Sequence, residues 1–394
     1  MTDWDDRWYF AIGASCALSA FITWLAILYA HRRNLFDLPG QRRSHSAPTP
    51  RGGGIGIVVA TLAFFCLPLL LSPRPSTTAF GVAVTVALLI VATVGWIDDH
   101  RSLSARIRFC AHAIAAMILL ALPLASDLVT MRRFVNEIPI SGSAILLASI
   151  IFLCVTVVIV WSINLHNFMD GINGLLACQA AFVFFMLGAL TLVPEYACLL
   201  WVLTAATLGF LPFNFPRARI FMGDVGSGAL GLMIVVAIGL TLNTISPPLS
   251  AALIVCSAFA TDATCTLLSR MLRGRRWYSS HREHLYQWMA RSGMSHARVV
   301  AWYMAWNLCV VVPVLWWIHG SWIGLDHIGL AQLRNLPGNP ALTSGSGDAA
   351  ALSSYRYASH IAPIAVYALS IATWLFGKRW CLRKVKNVIK ARNI

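Results

Sequence analysis

The sequence is poor in charge. Asp, Glu, Lys and Arg make up 11% of its 394 residues, against about 25% in an average soluble domain. Hydrophobic residues make up 58%. So few charges cannot cover a soluble surface of this length, which excludes a soluble enzyme, and the apolar content excludes a disordered chain. The ten cysteines include no CxxC pair, and nine of them sit in apolar runs. Neither a disulfide framework nor a zinc site is therefore expected. No internal repeat is visible. Acids are scarcest: 15 Asp and Glu stand against 30 Lys and Arg, a net charge of +15. The basic excess is scattered in short pieces between apolar runs rather than gathered into one face, so no nucleic-acid partner is expected.

What the chain has instead is long apolar stretches. Eleven are read, at roughly 8–30, 52–71, 78–97, 107–125, 143–163, 174–193, 196–213, 225–245, 249–269, 297–318 and 359–376. A helix of about 20 residues crosses the hydrocarbon core. The expected fold is an all-α polytopic membrane protein with about 11 transmembrane helices, residues 1–394 forming a single integral membrane domain. The first stretch is not a signal peptide, because Asp3, Asp5 and Asp6 outnumber Arg7 before it while His31, Arg32 and Arg33 follow it. The N-terminus is thus expected in the periplasm and the C-terminus in the cytoplasm. Positive residues stay on the cytoplasmic side, and 24 of the 30 Lys and Arg fall in the proposed inner segments 31–51, 98–108, 214–224, 270–298 and 378–394. This bias supports a multi-pass protein of a bacterial inner membrane, among membrane lipids, with a basic cytoplasmic tail at 377–394. On the outer side, residues 126–142 are long enough for a small hairpin. Residues 319–358 read as a flexible periplasmic loop, because Leu336-Pro337-Gly338-Asn339-Pro340 and Ser344-Gly345-Ser346-Gly347 are rich in turn formers.

The inner connections carry the chemistry. In the first, His45 precedes two prolines, Arg51 and three glycines, and the glycines permit close backbone packing where a span begins. In the second, Asp98 and Asp99 end an apolar run directly and are followed by Arg106 and Arg108. Adjacent carboxylates repel and favour a cation between them, and two acids at a span terminus are unfavourable in any membrane argument. In the third, Asn164, Asn167, Asp170 and Asn173 recur every three residues, a spacing that shares one face of a helix. Oxygen-bearing side chains of this kind suit a hard cation such as Mg²⁺. In the fourth, Asp224 lies among glycines where a span starts, and the N-terminus of a helix attracts anions. The fifth interleaves aromatic residues with arginines and contains His281, Arg282, Glu283 and His284, which fit phosphate binding better than zinc. Asp262 is the one clearly intramembrane acid, expected either to face the bundle interior as a functional residue or to pair with Arg270 or a neighbouring helix. Each loop alone can be read as a polar helix cap. Together, five acids flanked by arginines at one membrane face fit metal-assisted phosphoryl transfer.

These loops resemble the polyprenyl-phosphate N-acetylhexosamine-1-phosphate transferases of the MraY/WecA superfamily. The resemblance covers roughly residues 30–290. It rests on His45 to Gly54, on the Asp98-Asp99 pair with Leu103-Ser104-Ala105-Arg106, on Asn167-Phe168-Met169-Asp170-Gly171, and on Ile220 to Ser227. The stretch His281 to Gln287 looks like the WbpL-like branch that starts O-antigen chains of lipopolysaccharide. The resemblance implies transfer of an N-acetylhexosamine-1-phosphate, GlcNAc or a 6-deoxy N-acetylamino sugar, from a UDP-sugar to undecaprenyl phosphate, with release of UMP. It implies Mg²⁺, with Mn²⁺ as an alternative, held by Asn167 and Asp224. Asp98 would orient or deprotonate the lipid phosphate, and Asp99 would support the metal and phosphate network. Arg106, Arg108, Arg282 and His284 would neutralise phosphate oxygens. Asn164 and Asp170 would position substrate, and His45, Arg51 and His281 complete the set facing it. Undecaprenyl phosphate and a UDP-N-acetylhexosamine are the implied partners, and a homodimer is compatible. Two departures stand out. Asn173 replaces the second acid of the Asp-Gly-Ile-Asp-Gly pattern common in bacterial relatives, and Tyr286-Gln287 replaces a His-rich ending, which is expected to alter sugar recognition. A transporter of anionic or lipid-linked substrates is the main rival, and a catalytically dead scaffold the second.

Overall fold

The computed structural model describes residues 6–37, 48–134, 142–242, 244–245, 248–275, 281–327 and 346–392. Those residues divide into two compact units, one of residues 1–188 and 194–239 and one of residues 189–193 and 240–394.

Among the described residues, the regular structure of the first unit is helical apart from a two-residue antiparallel ladder between β1 (Phe36–Asp37) and β2 (Thr49–Pro50). Helix α1 (Asp6–Arg33) buries Ser15, Ser19, Thr23, Ala26 and Ala30, one stripe at helical spacing. Small residues let helix backbones approach closely in an apolar solvent. Accordingly α1 packs on α2 (Ile55–Thr61) and on α8 (Pro194–Asn214). The Ser15 hydroxyl donates across that interface to the Val202 carbonyl at 3.0 Å. A π-turn (Leu62–Cys66) carries α2 into the short α3 (Leu67–Leu70). Helices α4 (Pro75–His100) and α5 (Ala105–Phe134) pack together, and α6 (Gly142–Met169) packs on α5. Helix α6 shows Ile145, Leu146, Leu147, Ile150 and Ile151 on its exposed face. A face this apolar is stable against lipid and not against water. Helices α7 (Leu175–Leu190) and α9 (Gly223–Thr241) complete the unit, α8 and α9 being its most enclosed long helices.

The second unit holds α10 (Pro248–Leu272), α11 (Leu285–Arg291), α12 (His296–Trp306), a π-turn (Asn307–Val311) into α13 (Val312–His327), and α14 (Ser346–Arg392). Helix α10 packs on α14, pinned by Ser250 Oγ donating to the Ser359 carbonyl at 2.6 Å and Tyr367 Oη to the Leu253 carbonyl at 3.1 Å.

Nine described helices are long and apolar enough to cross a membrane, and two shorter apolar helices lie at 55–70 and 175–190. All eleven apolar stretches of the sequence are thus helical, and the chain is an all-α polytopic membrane protein. Three connections carry more helix than the sequence suggests. Helix α5 continues to Phe134, so residues 126–134 are not half of a hairpin. Residues 319–327 and 346–358, expected in a flexible loop, belong to α13 and α14, and 328–345 lie outside the described residues. Residues 377–392 of the expected basic tail continue α14, with Lys378 and Cys381 buried. A polar composition marks these segments as non-apolar, but it does not stop a helix that its neighbours already hold.

Candidate functional site

In the first unit, four connections bring their polar residues to one place. The chain at Pro50–Gly54 runs beside residues 221–222. Phe221 N–H donates to Pro50 O at 2.8 Å, Gly53 N–H to Phe221 O at 2.9 Å and Gly54 N–H to Met222 O at 2.8 Å. That pairing sets Arg51 beside the start of α9. A side chain on Gly54 would collide with the backbone of Gly226, and one on Gly95 would lie 2.5 Å from the Asp224 carbonyl. The glycines are there because three backbones meet at the N-terminus of α9.

The last turn of α4 carries Asp98 and Asp99, at the end of a helix where the dipole disfavours negative charge. Asp99, its side chain 2% exposed, is occupied on both oxygens. It accepts the N–H of Asp224 at 2.9 Å and of Val225 at 3.2 Å, and Arg51 Nε lies 2.7 Å from Oδ1. Gly223 sits at φ +77°, and a Cβ there would strike the Asp99 carboxylate. Asp99 is therefore the brace that seats α9 and, with it, Asp224.

Asp98 and Asp224 face one another within hydrogen-bond reach. Arg108 Nη1 lies 3.1 Å from Asp98 Oδ2 and 3.1 Å from Asp224 Oδ2. Leu103 N–H donates to Asp98 Oδ1 at 2.5 Å. Arg51 Nη2 lies 3.1 Å from Asp224 Oδ1, and Asn167 also hydrogen bonds to Asp224. Burial alone would lower the Arg51 guanidinium, but Asp99, Asp224 and Asp98 more than offset it and hold its pKa above the ordinary value. Asp170 lies just past the end of α6 and is half-buried. Its burial, with Asp224 and Asp99 nearby, pushes its carboxyl up to about 7 against the pull of Arg51.

Four carboxylates thus gather with two guanidiniums and one amide. Two oxygens of Asp98 and Asp224 meet where only Arg108 separates their charges. This donor set is oxygen-rich and carries excess negative charge, which fits a hard divalent cation. Asp224 and Asn167 could supply ligands to one, with Asp98 alongside, although among the described residues no three Asp, Glu, His or Cys side chains form a metal cluster by themselves.

Other expected residues fall elsewhere. Arg106 is exposed and has no part in this network among the described residues. Asn164 turns back to donate to the Val160 carbonyl at 2.7 Å and approaches His112 Nδ1 at 3.5 Å. The helical face of four residues is interrupted, since α6 ends at Met169. Asn173 instead donates to the Pro216 carbonyl at 3.2 Å, beside Gly174 N–H donating to Asn214 Oδ1 at 2.7 Å. An amide can donate there and a carboxylate cannot, which accounts physically for Asn at this position. His45 lies outside the described residues.

The second unit holds the fifth connection. His281 and His284 stack with ring centroids 5.0 Å apart. Burial, with His284 and Arg270 nearby, pushes His281 down to about 4, and burial lowers His284 as well. Both rings are then neutral near pH 7. Among the described residues no three His, Cys, Asp or Glu side chains form a metal cluster. Glu283 pairs with Arg270 and with Arg275, the latter at 2.9 Å. Arg282 is half-buried in the same segment. Gln287 Oε1 accepts the His284 N–H at 3.3 Å, its amide donates to Tyr286 Oη at 3.1 Å, and Tyr286 is buried. Tyr286 and Gln287 therefore shape the segment from inside.

Asp262 organises this segment, and the sequence marked it only as an intramembrane acid. It accepts Leu285 N–H at 2.7 Å, Tyr286 N–H at 3.4 Å, Tyr303 Oη at 2.7 Å, Trp374 Nε1 at 3.0 Å and Thr266 Oγ1 at 3.3 Å. His284 Nδ1 lies 3.9 Å away. Arg270, one of its two expected partners, pairs with Glu283 instead.

The family described as glycosyl transferase family 4 matches residues 81–241, the stretch that includes Asp98, Asp99, Asn167, Asp170 and Asp224. The decaprenyl-phosphate N-acetylglucosaminephosphotransferase of Mycobacterium leprae is 32% identical over 319 residues, 73% of this chain and 78% of that protein. A probable undecaprenyl-phosphate N-acetylglucosaminyl 1-phosphate transferase of Bacillus subtilis is 26% identical over 265 residues, 66% of this chain and 71% of that protein. The phospho-N-acetylmuramoyl-pentapeptide-transferase of Deinococcus radiodurans is 27% identical over 341 residues, 77% of this chain and 98% of that protein. On the strength of that family match and of a relative at 32% identity covered over 78% of its length, the chain belongs to glycosyl transferase family 4, the MraY/WecA superfamily.

Proposed function

We propose that this protein transfers an N-acetylhexosamine-1-phosphate from a UDP-sugar to undecaprenyl phosphate, giving an undecaprenyl-diphosphate sugar and UMP. The observation that carries this reading is the meeting of Asp98 and Asp224 across a single Arg108 nitrogen, with Asn167 bonded to Asp224. Such an arrangement serves a reaction in which positioning and charge neutralisation supply most of the catalysis. The names of the relatives, which act on decaprenyl or undecaprenyl phosphate with N-acetylglucosamine phosphate, support the substrate class.

In this reading a lipid phosphate oxygen attacks the phosphorus bound to the sugar. The bond from that phosphorus to the bridging oxygen breaks, and UMP leaves with the electron pair. Asp98, fixed by Leu103 N–H and Arg108, orients the incoming lipid phosphate and accepts its proton where one is present. Asp224 and Asn167 would hold Mg²⁺, or Mn²⁺ in its place. When bound, the ion withdraws charge from the diphosphate and stabilises the leaving UMP. Arg51 and Arg108 then exchange carboxylate partners for phosphate oxygens. Asp99 keeps Asp224 in place.

Eleven spans, a periplasmic N-terminus and a cytoplasmic site in the bacterial inner membrane follow from the distribution of Lys and Arg in the sequence. The segment His281 to Gln287 favours the branch that initiates O-antigen, with N-acetylglucosamine or a 6-deoxy N-acetylamino sugar as cargo. The test is UMP release by purified protein with a panel of UDP-sugars, with and without undecaprenyl phosphate and with and without a chelator. Release that needs both the lipid phosphate and a divalent ion supports the reading, and no release with any donor overturns it.

A further inference from the structure

The second unit contains a cavity of about 420 Å³ walled by α10, α11, α12 and α14, large enough for a ligand of its own. Trp302 and Trp306 of α12, Phe376 and Trp380 of α14, and Met289 and Met294 make its wall aromatic and sulfur-rich. Three polar groups in that wall are already committed. Asp262, its side chain 2% exposed, accepts five donors. Tyr303 Oη is one of those donors, and Thr373 Oγ1 donates to the Leu369 carbonyl at 2.8 Å. Buried water needs several polar partners of its own, so this space suits an apolar chain better than water. Trp302, Phe376 and Trp380 are exposed, so the wall opens on the apolar outer face of the helices.

One end of the cavity is cationic. Lys384 Nζ lies over the Trp380 ring, 5.1 Å from the centroid. Cys381, which also lines the cavity, hydrogen bonds with Ser292. That contact brings the end of α11 to the same place, where the Arg291 guanidinium lies 4.2 Å from the centroid of Trp288. Arg383 is exposed on the same turn of α14 as Lys384. The chain offers these cations no anion. From Leu285 to Ile394 the sequence holds two acids, Asp326 and Asp348, the first in the last turn of α13 and the second at the opposite end of α14 from Lys384. Among the described residues, Arg291, Arg383 and Lys384 form no ion pair. A cation–π contact leaves the charge without a counter-ion, and basic residues beside a membrane span attract anionic lipid headgroups. An apolar cavity open to the outer face, with indole and uncompensated cations at one end, matches an acyl chain that ends in a phosphate.

We infer that this cavity binds one anionic phospholipid, an acyl chain lying among Trp302, Trp306 and Trp380 and the headgroup phosphate on Lys384 and Arg291. The site is built wholly within the second unit and does not rest on the transferase reading.

The experiment titrates the purified full chain in detergent with dipalmitoyl phosphatidylglycerol and dipalmitoyl phosphatidylcholine, and counts bound lipid per chain by native mass spectrometry. Wild type is expected to bind one phosphatidylglycerol at least tenfold more tightly than phosphatidylcholine, and to bind the dihexanoyl form of phosphatidylglycerol at least tenfold more weakly than the dipalmitoyl form. Replacing both cations, Lys384→Gln with Arg291→Gln, is expected to cut the preference for phosphatidylglycerol below threefold. Ala258→Phe, which puts a ring into the cavity, is expected to weaken both lipids alike. The chain-length comparison is made on wild type and stands even where Ala258→Phe does not fold. Equal affinity of wild type for the two headgroups overturns the inference, as does an undiminished preference in the double variant or unchanged binding in a folded Ala258→Phe. Displacement of the bound phosphatidylglycerol by equimolar undecaprenyl phosphate also overturns it, because the cavity then belongs to an isoprenoid chain, and retention upholds it.

Discussion

Asp99 holds Asp224 by its backbone: one oxygen of Asp99 accepts the Asp224 N–H at 2.9 Å, while the Asp224 carboxylate is left to Arg51, Arg108 and Asn167. Two neighbouring acids on α4 therefore do different work, Asp98 beside Asp224 in the open cluster and Asp99 beneath it. Asp99→Ala removes a buried partner of Arg51 and the anchor of α9. Breaking a buried charge pair costs about 3–5 kcal/mol, so this variant is expected to melt markedly lower in detergent. Asp224→Asn leaves Arg51 with Asp99 and Arg108 with Asp98. It is expected to keep the wild-type melting temperature within a few degrees and lose at least about a hundredfold in UMP release, the scale on which a single electrostatic group acts in catalysis. Equal melting of the two variants would show that Asp99 is not the brace.

Asp170 gives a pH signature. Its folded pKa of about 7 lies above the ordinary carboxylate value, so the folded state binds this proton more tightly than the unfolded chain. By linkage, the stability this group contributes is present at low pH and is lost as pH rises from about 4 through 7. Asp170→Asn removes that loss. The melting temperature of the variant minus that of wild type, both free of divalent ions, is expected to grow from pH 5 to pH 8. A flat difference across that range would rule out the raised pKa.

Much of the site was legible because polar residues at the ends of apolar runs are costly unless used. Asp98, Asp99, Asn167, Asp170 and Asp224 could be named for that reason, and the triple glycine at 52–54 announced the backbone contact it makes with Gly226. The division of labour between Asp98 and Asp99 could not be read, since it depends on which carboxylate points under α9. Lys378 was hidden for another reason. A lysine after a membrane span looks like the positive residue of a cytoplasmic flank, and only the continuation of α14 buries it. Helix α14 itself was obscured because Ser346-Gly347 and the Ala and Ser that follow are as common in loops as at helix starts. Asn173 stood out as a departure from an acidic pattern, and only the structure shows its amide bracing Pro216.

That brace can be tested by restoring the acid. Asn173→Asp replaces a donor with a carboxylate facing the Pro216 carbonyl. A lost hydrogen bond with an unsatisfied acceptor costs about 1–3 kcal/mol where buried, and less at this partly exposed position. The variant is expected to melt slightly lower and to show UMP release no higher than wild type. A gain of severalfold in turnover would instead mark Asn173 as an impaired catalytic position.

The remaining prediction concerns Asp262, whose carboxylate joins α10 to the N-terminus of α11, to Tyr303 on α12 and to Trp374 on α14. An amide in its place presents one acceptor oxygen and one NH₂ group, so donors such as Leu285 N–H or Tyr303 Oη lose their partner. Each buried donor left unsatisfied costs about 1–3 kcal/mol. The penalty falls first on the element with least packing of its own, the seven-residue α11 and the His281–His284 segment leading into it. Asp262→Asn is therefore expected to speed amide hydrogen exchange at 281–291 at least tenfold while exchange at 250–257, further along the same α10, stays near the wild-type rate. Equal acceleration in both stretches would mean that Asp262 supports the unit as a whole. Unchanged exchange in both would mean that the carboxylate does not hold the segment, and that its shape comes from the Gln287 cap on His284 instead.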